Sequence, residues 1–300
     1  MRYTEEASLF PCAGETQAGI IAIPETPKDT AVVVIVGGPQ YRVGSHRQFL
    51  LLSRTLATAG FAVLRFDYRG MGDSEGIKRD FQEVSTDVSA AVDALQARLP
   101  HVTRVALWGL CDGASAALLY CQEIADPRVA GLCLVNPWVR SETSLARTQL
   151  KHYYTKRLMQ KEFWYKLLCG RVAAEALAGL IGNFRTARGR ADASVTDAAG
   201  TVRLAPFQQR MAKGWAGFKG PILLVLAEDD YTAKEFLECS AASPEWRKNL
   251  LRSDLTRHDV PNVDHTFSSA ASRKVAESLT LNWLVGQFAV PLSSNNSHAK

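Results

Sequence analysis

The chain has 300 residues, 47% of them hydrophobic, which is typical of a globular protein with one large core, alone or with a smaller inserted domain. The formal net charge of +5 and the charged fraction of 22% are modest, so the overall charge argues against nucleic acid as a partner. The amino terminus carries acidic residues, and no stretch approaches about 18 uncharged apolar residues, so we expect neither a signal peptide nor a transmembrane anchor.

Strands and helices alternate along the first part of the chain. The run AVVVIV at 31–36 predicts a strand that is buried on both faces, a helix follows over 46–59, and the next strand is predicted from Phe61 to Phe66. Later strands are predicted at 104–108, 129–135 and 222–226, with helices over 84–98 and after Gly113. This alternation predicts an α/β fold with a mostly parallel sheet covered by helices on both faces, because right-handed crossovers require it.

The alternation stops between Pro137 and Phe218, where the sequence becomes helical, basic and aromatic. We therefore predict a helical insertion over 140–217 after the sixth strand. The core then comprises 1–139 and 218–290, and the polar end, 291–300, is predicted to be a disordered tail.

The predicted insertion carries most of the positive charge of the chain. Residues 140–217 contain 14 Lys and Arg against 5 Asp and Glu, a net charge of +9. One interpretation is a cap helix over 145–171, with its apolar residues on the core and its basic residues in water. The other is a basic face, including Lys151, Lys156 and Lys161, that binds an anionic small-molecule or acyl-chain substrate or makes peripheral contact with a membrane. The sequence leaves both open.

The cysteines indicate a reducing compartment. None of the six shows CxxC spacing, and several lie in apolar runs where a thiol behaves as a small hydrophobic group. We therefore expect free thiols and a cytoplasmic location. The six are Cys12, Cys111, Cys121, Cys133, Cys169 and Cys239.

One cysteine lies in a distinctive turn. Cys111 is the centre of Gly109-Leu110-Cys111-Asp112-Gly113, in which a strand runs directly into a helix. The pattern matches the G-x-S-x-G nucleophile elbow with sulfur in place of oxygen, and glycines at both flanks relieve steric crowding around the strained nucleophile. The helix amino terminus is expected to lower the thiol pKa, so that Cys111 is partly thiolate at neutral pH.

Five segments spread over nearly the whole chain resemble the α/β-hydrolase superfamily: VVIVGGPQYRVG, RFDYRGMGDSEG, GLCDG, LVLAEDD and NVDHTF. The combination of GGPQYRVGSHRQF with LWGLCDGAS resembles more specifically the type 1 hydrolases encoded with the exosortase A system of exopolysaccharide-producing Gram-negative bacteria. The superfamily resemblance implies the α/β-hydrolase fold and the chain order nucleophile, acid, histidine.

The resemblance also implies where the acid and the histidine lie. The acid follows the strand ILLVLA, and the superfamily spacing selects Asp230, with Glu228 and Asp229 kept as alternatives. The histidine is His265, just before the last helix, and His258 is its main rival. A histidine in this role holds the nucleophile's proton, and the carboxylate orients its ring.

An oxyanion hole needs two convergent amides, one of which belongs to the residue after the nucleophile, Asp112. The other is expected from the loop Gly37-Gly38-Pro39-Gln40. Pro39 has no amide hydrogen, so Gly38 is the first choice and Gln40 the alternative.

These residues together predict a hydrolase of esters or thioesters, of the esterase class EC 3.1. Cys111 attacks the carbonyl carbon, and water activated by His265 releases the acyl group. An acyltransferase with the same residues is an alternative, and so is a non-catalytic binding or scaffold protein on a hydrolase fold. No cofactor or metal is expected, because the sequence lacks a phosphate-binding loop, a dinucleotide fingerprint and metal-ligand spacing.

Overall fold

The computed structural model describes residues 1–38, 40–140 and 206–288, which form eight strands and seven α-helices. The elements before the gap at 141–205 are β1 (Tyr3–Cys12), β2 (Glu15–Pro24), β3 (Thr30–Ile35), α1 (Gln48–Thr58), β4 (Val63–Phe66), α2 (Ser85–Arg98), β5 (Arg104–Leu110), α3 (Asp112–Glu123) and β6 (Val129–Val135). Those after it are α4 (Pro206–Gly217), β7 (Ile222–Ala227), α5 (Tyr231–Ala242), α6 (Pro244–Leu250), β8 (Leu255–Val260) and α7 (Ala270–Phe288). None of these helices is long and apolar enough to span a membrane.

All eight strands form one sheet in the order β1-β2-β4-β3-β5-β6-β7-β8. The strands from β3 to β8 run parallel, and β2 pairs antiparallel with both β1 and β4. This is the sheet of the α/β-hydrolase fold, and the fold prediction is confirmed. Because the parallel strands end at the same edge, the residues that follow β5, β7 and β8 are brought near one another.

The core has two apolar layers, one on each face of the sheet. Residues of β3 alternate between them, with Val33 and Ile35 in one layer and Val32 and Val34 in the other, and all four are fully buried. The first layer is completed by helices α2 to α6 and the second by α1 and α7. Burial on both faces explains why β3 is an uninterrupted apolar run.

The insertion predicted over 140–217 lies mostly outside the described residues. That holds for the basic segment 145–171 with Lys151, Lys156 and Lys161, and the tail at 291–300 also lies outside. The described end of the insertion forms α4, where Met211 and Trp215 are fully buried and Gly214 lies against the Leu118 carbonyl group of α3. Helix α4 is therefore part of a core layer, and the division into core and insertion stays a prediction.

Candidate active site

Cys111 lies between the last residue of β5 and the first residue of α3. Its backbone has φ 61° and ψ −126°, a conformation that is sterically strained for residues other than glycine. Four backbone hydrogen bonds hold it. Cys111 N–H donates to the Val135 carbonyl oxygen at 2.9 Å, and the Cys111 carbonyl oxygen accepts from Ala114, Trp138 and Ser115 at 3.1, 3.2 and 3.3 Å. The turn thus has the strained geometry expected of a nucleophile elbow.

The two glycines of the turn are required by close packing. A Cβ at Gly109 would lie 2.5 Å from the Ala114 nitrogen, and a Cβ at Gly113 would lie 3.1 Å from Val36 and closer still to the Ile35 carbonyl oxygen. The contacts with the Ala114 nitrogen and the Ile35 carbonyl oxygen are too short, because backbone atoms cannot move aside as a flexible side chain can. This is the physical basis of the G-x-C-x-G spacing.

Asp230 and His265 form a direct pair at the carboxyl edge of the sheet. Asp230 is 6% exposed and caps α5, where its carboxylate accepts from the amides of Thr232 and Ala233 at 3.0 and 3.2 Å. Its Oδ2 lies 2.7 Å from His265 Nδ1. A carboxylate at this distance accepts from Nδ1–H, which leaves Nε2 of His265 as the free base.

The rival residues have other surroundings. Glu228 and Asp229 precede Asp230 at the end of β7, and both are exposed. His258 lies within the edge strand β8, paired with Val225, whereas His265 lies in the loop beyond the strand. The structure therefore brings together one acid and one histidine of the predicted set, Asp230 and His265.

Asn136 supports the histidine loop, and sequence reasoning did not identify it. It is fully buried just after β6, with φ 44°. Its Nδ2 donates to the His265 carbonyl oxygen at 3.0 Å, and its Oδ1 accepts from the Ala227 amide at 2.8 Å. The only local signal was an asparagine at the end of a buried strand, a residue type that tolerates positive φ.

The pKa of the Cys111 thiol is raised, whereas its position at a helix amino terminus predicts a lowered pKa. Burial raises the pKa of Cys111 to about 12, and the Asp112 carboxylate acts in the same direction. The Arg140 guanidinium lowers the pKa only in part. Desolvation therefore outweighs the helix amino terminus, and the expectation of a partly ionised thiol at neutral pH is wrong.

The amides expected to form the oxyanion hole are neighbours, but one of them is engaged. Gly38 N–H donates to Oδ1 of Asp112. Burial raises the pKa of Asp112, while hydrogen bonds from the Gly38 and Gly113 amides oppose that rise. The side chain of Gln40, the alternative donor residue, accepts from the Ser45 amide at 3.0 Å.

Arg140 is a second residue that sequence reasoning did not single out. Its Nε donates to both carboxylate oxygens of Glu235 at 2.8 and 3.1 Å, and its guanidinium lies 4.5 Å from the centre of the Trp138 ring. Because Trp138 N–H is bonded to the Cys111 carbonyl oxygen, this cation is linked to the nucleophile turn. Glu235 belongs to α5, the helix that Asp230 caps.

The remaining thiols do not share the turn of Cys111. Free cysteines occur at Cys12, Cys121, Cys133 and Cys239, and burial raises the pKa of each of them. Cys169 lies outside the described residues. In the described part of the chain, no three His, Cys, Asp or Glu side chains are grouped as metal ligands would be.

Comparison with known proteins identifies a family. Residues 27–259 match the family model described as serine aminopeptidase, S33. The human protein ABHD12B is 38% identical to this chain over 86 residues, which are 29% of this chain and 23% of that protein. The match thus spans less than a quarter of the human relative.

Solved structures share the fold at low identity. The Pyrococcus furiosus esterase Pf2001 has a TM-score of 0.63 at 14% identity, covering 95% of this chain and 94% of the esterase. The α/β-hydrolase GrgF from Penicillium sp. sh18 has a TM-score of 0.62 at 17% identity, with 96% and 100% covered. Est1E from Butyrivibrio proteoclasticus, solved with ferulic acid, has a TM-score of 0.59 at 16% identity, with 95% and 100% covered.

Proposed function

Because the chain belongs to the family described as serine aminopeptidase, S33, within the α/β-hydrolases, we propose that it hydrolyses an ester or thioester bond with Cys111 as the nucleophile. The observation that carries this proposal is the 2.7 Å contact between His265 Nδ1 and Asp230 Oδ2, at the sheet edge where Cys111 follows β5. The family description names serine, so sulfur takes the place of oxygen at this turn.

The proposed reaction has two halves. In the first, Nε2 of His265 accepts the thiol proton while Sγ of Cys111 bonds to the carbonyl carbon, and the carbonyl oxygen becomes an oxyanion. The oxyanion collapses, the bond to the leaving alkoxide or thiolate breaks, and His265 returns the proton to the leaving group. In the second, His265 takes a proton from water, which attacks the thioester, releases a carboxylic acid and restores the thiol.

The high pKa of Cys111 gives His265 a specific task. A thiol with a pKa of about 12 is almost wholly protonated at neutral pH, so the proton has to leave during the attack. The Asp230 carboxylate supports this transfer, since it stabilises the imidazolium that forms and fixes the ring with Nε2 free.

Acyl transfer is the second candidate. A cysteine nucleophile forms a thioester intermediate, and thioesters react readily with amines. The same Cys111, His265 and Asp230 would then pass the acyl group to an amine or alcohol instead of water. A non-catalytic scaffold is less favoured, because the histidine and acid are already paired at 2.7 Å.

Finer features of the function are proposals from the sequence. The resemblance to the exosortase-associated hydrolases suggests a role near exopolysaccharide production or protein sorting, and the basic segment 145–171 suggests an anionic substrate or a membrane surface. The free cysteines support a cytoplasmic location.

The test is a panel of acyl esters and acyl thioesters given to the wild type and to Cys111→Ala. We expect turnover and an acylated Cys111, detected by mass spectrometry, in the wild type alone. Cys121→Ala is the matched control, because burial raises the pKa of that thiol to about 12 as well but it lies within α3. Turnover that survives Cys111→Ala would contradict the proposal, and an added amine that captures the acyl group would favour the transferase.

A further inference from the structure

The Asp112 side chain is hydrogen-bonded to a backbone amide that the proposed reaction needs for its oxyanion. Gly38 N–H and Asp112 N–H are the two donors expected to bind the oxyanion, and Gly38 N–H already donates to Oδ1 of Asp112. A backbone amide has one hydrogen, so Gly38 cannot bind a substrate oxygen while it holds this carboxyl group. A carboxylate at this position also repels a developing negative charge.

The local packing is shaped to admit the Asp112 carboxyl group. Gly37 has no Cβ, and a Cβ there would lie 2.7 Å from Asp112 Oδ1 and closer still to the Leu110 carbonyl oxygen. Gly38 has φ 62°, in the left-handed region that favours glycine. The two glycines therefore let the loop after β3 approach the carboxyl group.

In the described part of the chain, the Asp112 carboxyl group is held by backbone amides and by no ion pair. Arg140, the cation that acts on the neighbouring Cys111, is bound to Glu235. The carboxyl group thus accepts hydrogen bonds from the amides of Gly38 and Gly113. A substrate oxygen that accepts from the Gly38 amide would replace one of these hydrogen bonds.

A displaced carboxyl group needs another hydrogen-bond donor, and the charge of Asp112 already acts on the buried Tyr68 hydroxyl group. The Tyr68 hydroxyl group is buried, with the residue 5% exposed, and it has no hydrogen-bond partner among the described residues. Burial raises the pKa of Tyr68 well above its ordinary value, and the nearby Asp112 charge adds to this. An unpartnered buried hydroxyl group is costly, so a carboxyl group that leaves Gly38 would gain a hydrogen bond there.

We propose that the Asp112 carboxyl group closes the oxyanion hole in the free protein, and that an acyl substrate opens the hole by displacing this group from the Gly38 amide. The proposal rests on the proposed function, because it describes how the same site accepts its substrate. Asp112 then selects acyl groups that bind well enough elsewhere in the site to displace it.

The test compares two reactions of Cys111 in the wild type, Asp112→Asn and Asp112→Ala, at one pH. Acylation by a small acyl thioester passes through an oxyanion, whereas iodoacetamide forms an S–C bond and expels iodide without one. Asn removes the charge but keeps an oxygen that accepts from Gly38, and Ala removes both. Mass spectrometry measures both rate constants at Cys111.

We expect the ratio of acylation to alkylation to rise at least about tenfold in Asp112→Ala, since one oxyanion donor contributes about 10²- to 10³-fold. In Asp112→Asn, which removes the charge repulsion but keeps the Gly38 amide engaged, we expect the ratio to rise by less than in Asp112→Ala. Tyr68→Phe should lower the acylation rate of the wild type and leave that of Asp112→Ala unchanged.

An unchanged or smaller ratio in Asp112→Ala, with Cys111 still acylated, overturns the closed-hole proposal and leaves the proposed function intact. Equal increases in both reactions have the same meaning, because they reflect charge alone. Alkylation without acylation in all three proteins overturns the proposed function together with the closed hole.

Discussion

The side chain of Asn136 holds the loop that carries His265, through a 3.0 Å hydrogen bond from Asn136 Nδ2 to the His265 carbonyl oxygen. The same side chain accepts from the Ala227 amide at 2.8 Å, at the end of the strand that precedes the acid. A single buried amide group therefore joins the His265 loop to the end of the strand that precedes Asp230.

We expect Asn136→Ala to lower kcat by about tenfold or more, because about 1–3 kcal/mol is lost when a buried hydrogen-bonded group loses its partner. The matched control is Asn249→Ala, which removes another buried Asn whose Nδ2 donates to a backbone oxygen, that of Ala212, at 3.0 Å. Thermal denaturation and steady-state kinetics of both variants check this. Equal losses of kcat in the two variants would mean that Asn136 serves stability alone.

The acid can be assigned by three matched substitutions. Asp230→Asn should lower kcat by as much as about 10⁴-fold, because the amide favours the wrong tautomer of His265. Glu228→Gln and Asp229→Asn should have little effect, since both side chains are exposed at the same turn. Kinetics of the three variants with one substrate decide the matter, and a large loss in either control would move the acid there.

The pH dependence of Cys111 alkylation tests the ionisation of the thiol. The pKa of about 12 places the rise of the thiolate far above neutral pH, so the rate with iodoacetamide should increase about tenfold per pH unit from pH 7 to 10, without a plateau. Subtracting the rates measured in Cys111→Ala removes the other thiols. A plateau between pH 6 and 8 would instead indicate a thiolate stabilised by protonated His265.

The ion pair between Arg140 and Glu235 predicts a pH-dependent loss of stability. Burial raises the pKa of Glu235, and Arg140 opposes that rise, so Arg140→Met leaves a carboxyl group with a still higher pKa. A carboxyl group whose pKa is raised by folding lowers the free energy of unfolding only where it has to ionise. The variant should therefore be closest in stability to the wild type near pH 5, where Glu235 is more protonated. Its stability should fall as the pH rises to 8.

Urea denaturation at the two pH values checks this prediction. At pH 8 we expect the free energy of unfolding to fall by about 1–3 kcal/mol, because Glu235 is left buried without its partner. Arg140 itself is partly exposed. The double variant Arg140→Met with Glu235→Gln should lose its pH dependence. A single variant whose stability relative to the wild type is the same at both pH values would contradict the argument.

The fold was predictable where strands are buried on both faces. β3 and β7 are uninterrupted apolar runs because both of their faces meet a core layer. The hairpin of β1 and β2 was not predicted, and its reason is visible in β1, whose residues are mostly exposed or half-buried at the edge of the sheet. A strand with few buried residues has only a weak pattern of apolar residues, so its sequence does not predict a strand.

For the site, Cys111 could be predicted from local sequence alone, because it lies between glycines at 109 and 113. Gly109 is explained by contacts within the turn, whereas Gly113 lies against Ile35 and Val36 at the end of β3. The sequence also supplied Asp230 and His265 as the acid and histidine, through resemblance and chain order. The 2.7 Å contact between these two side chains and the hydrogen bond from Asn136 to the histidine loop join residues far apart in the chain, so only the folded chain reveals them.

Burial of Cys111 and the contact of the Asp112 side chain with Gly38 also depend on the tertiary structure. The sequence places both residues at a helix amino terminus, which favours a thiolate and a free amide pair. Desolvation by the surrounding core reverses the first expectation, and the approach of the Gly37–Gly38 loop gives the Asp112 carboxyl group a partner that reverses the second. Local sequence sets which groups are present, whereas burial and long-range contacts set their charge and their partners.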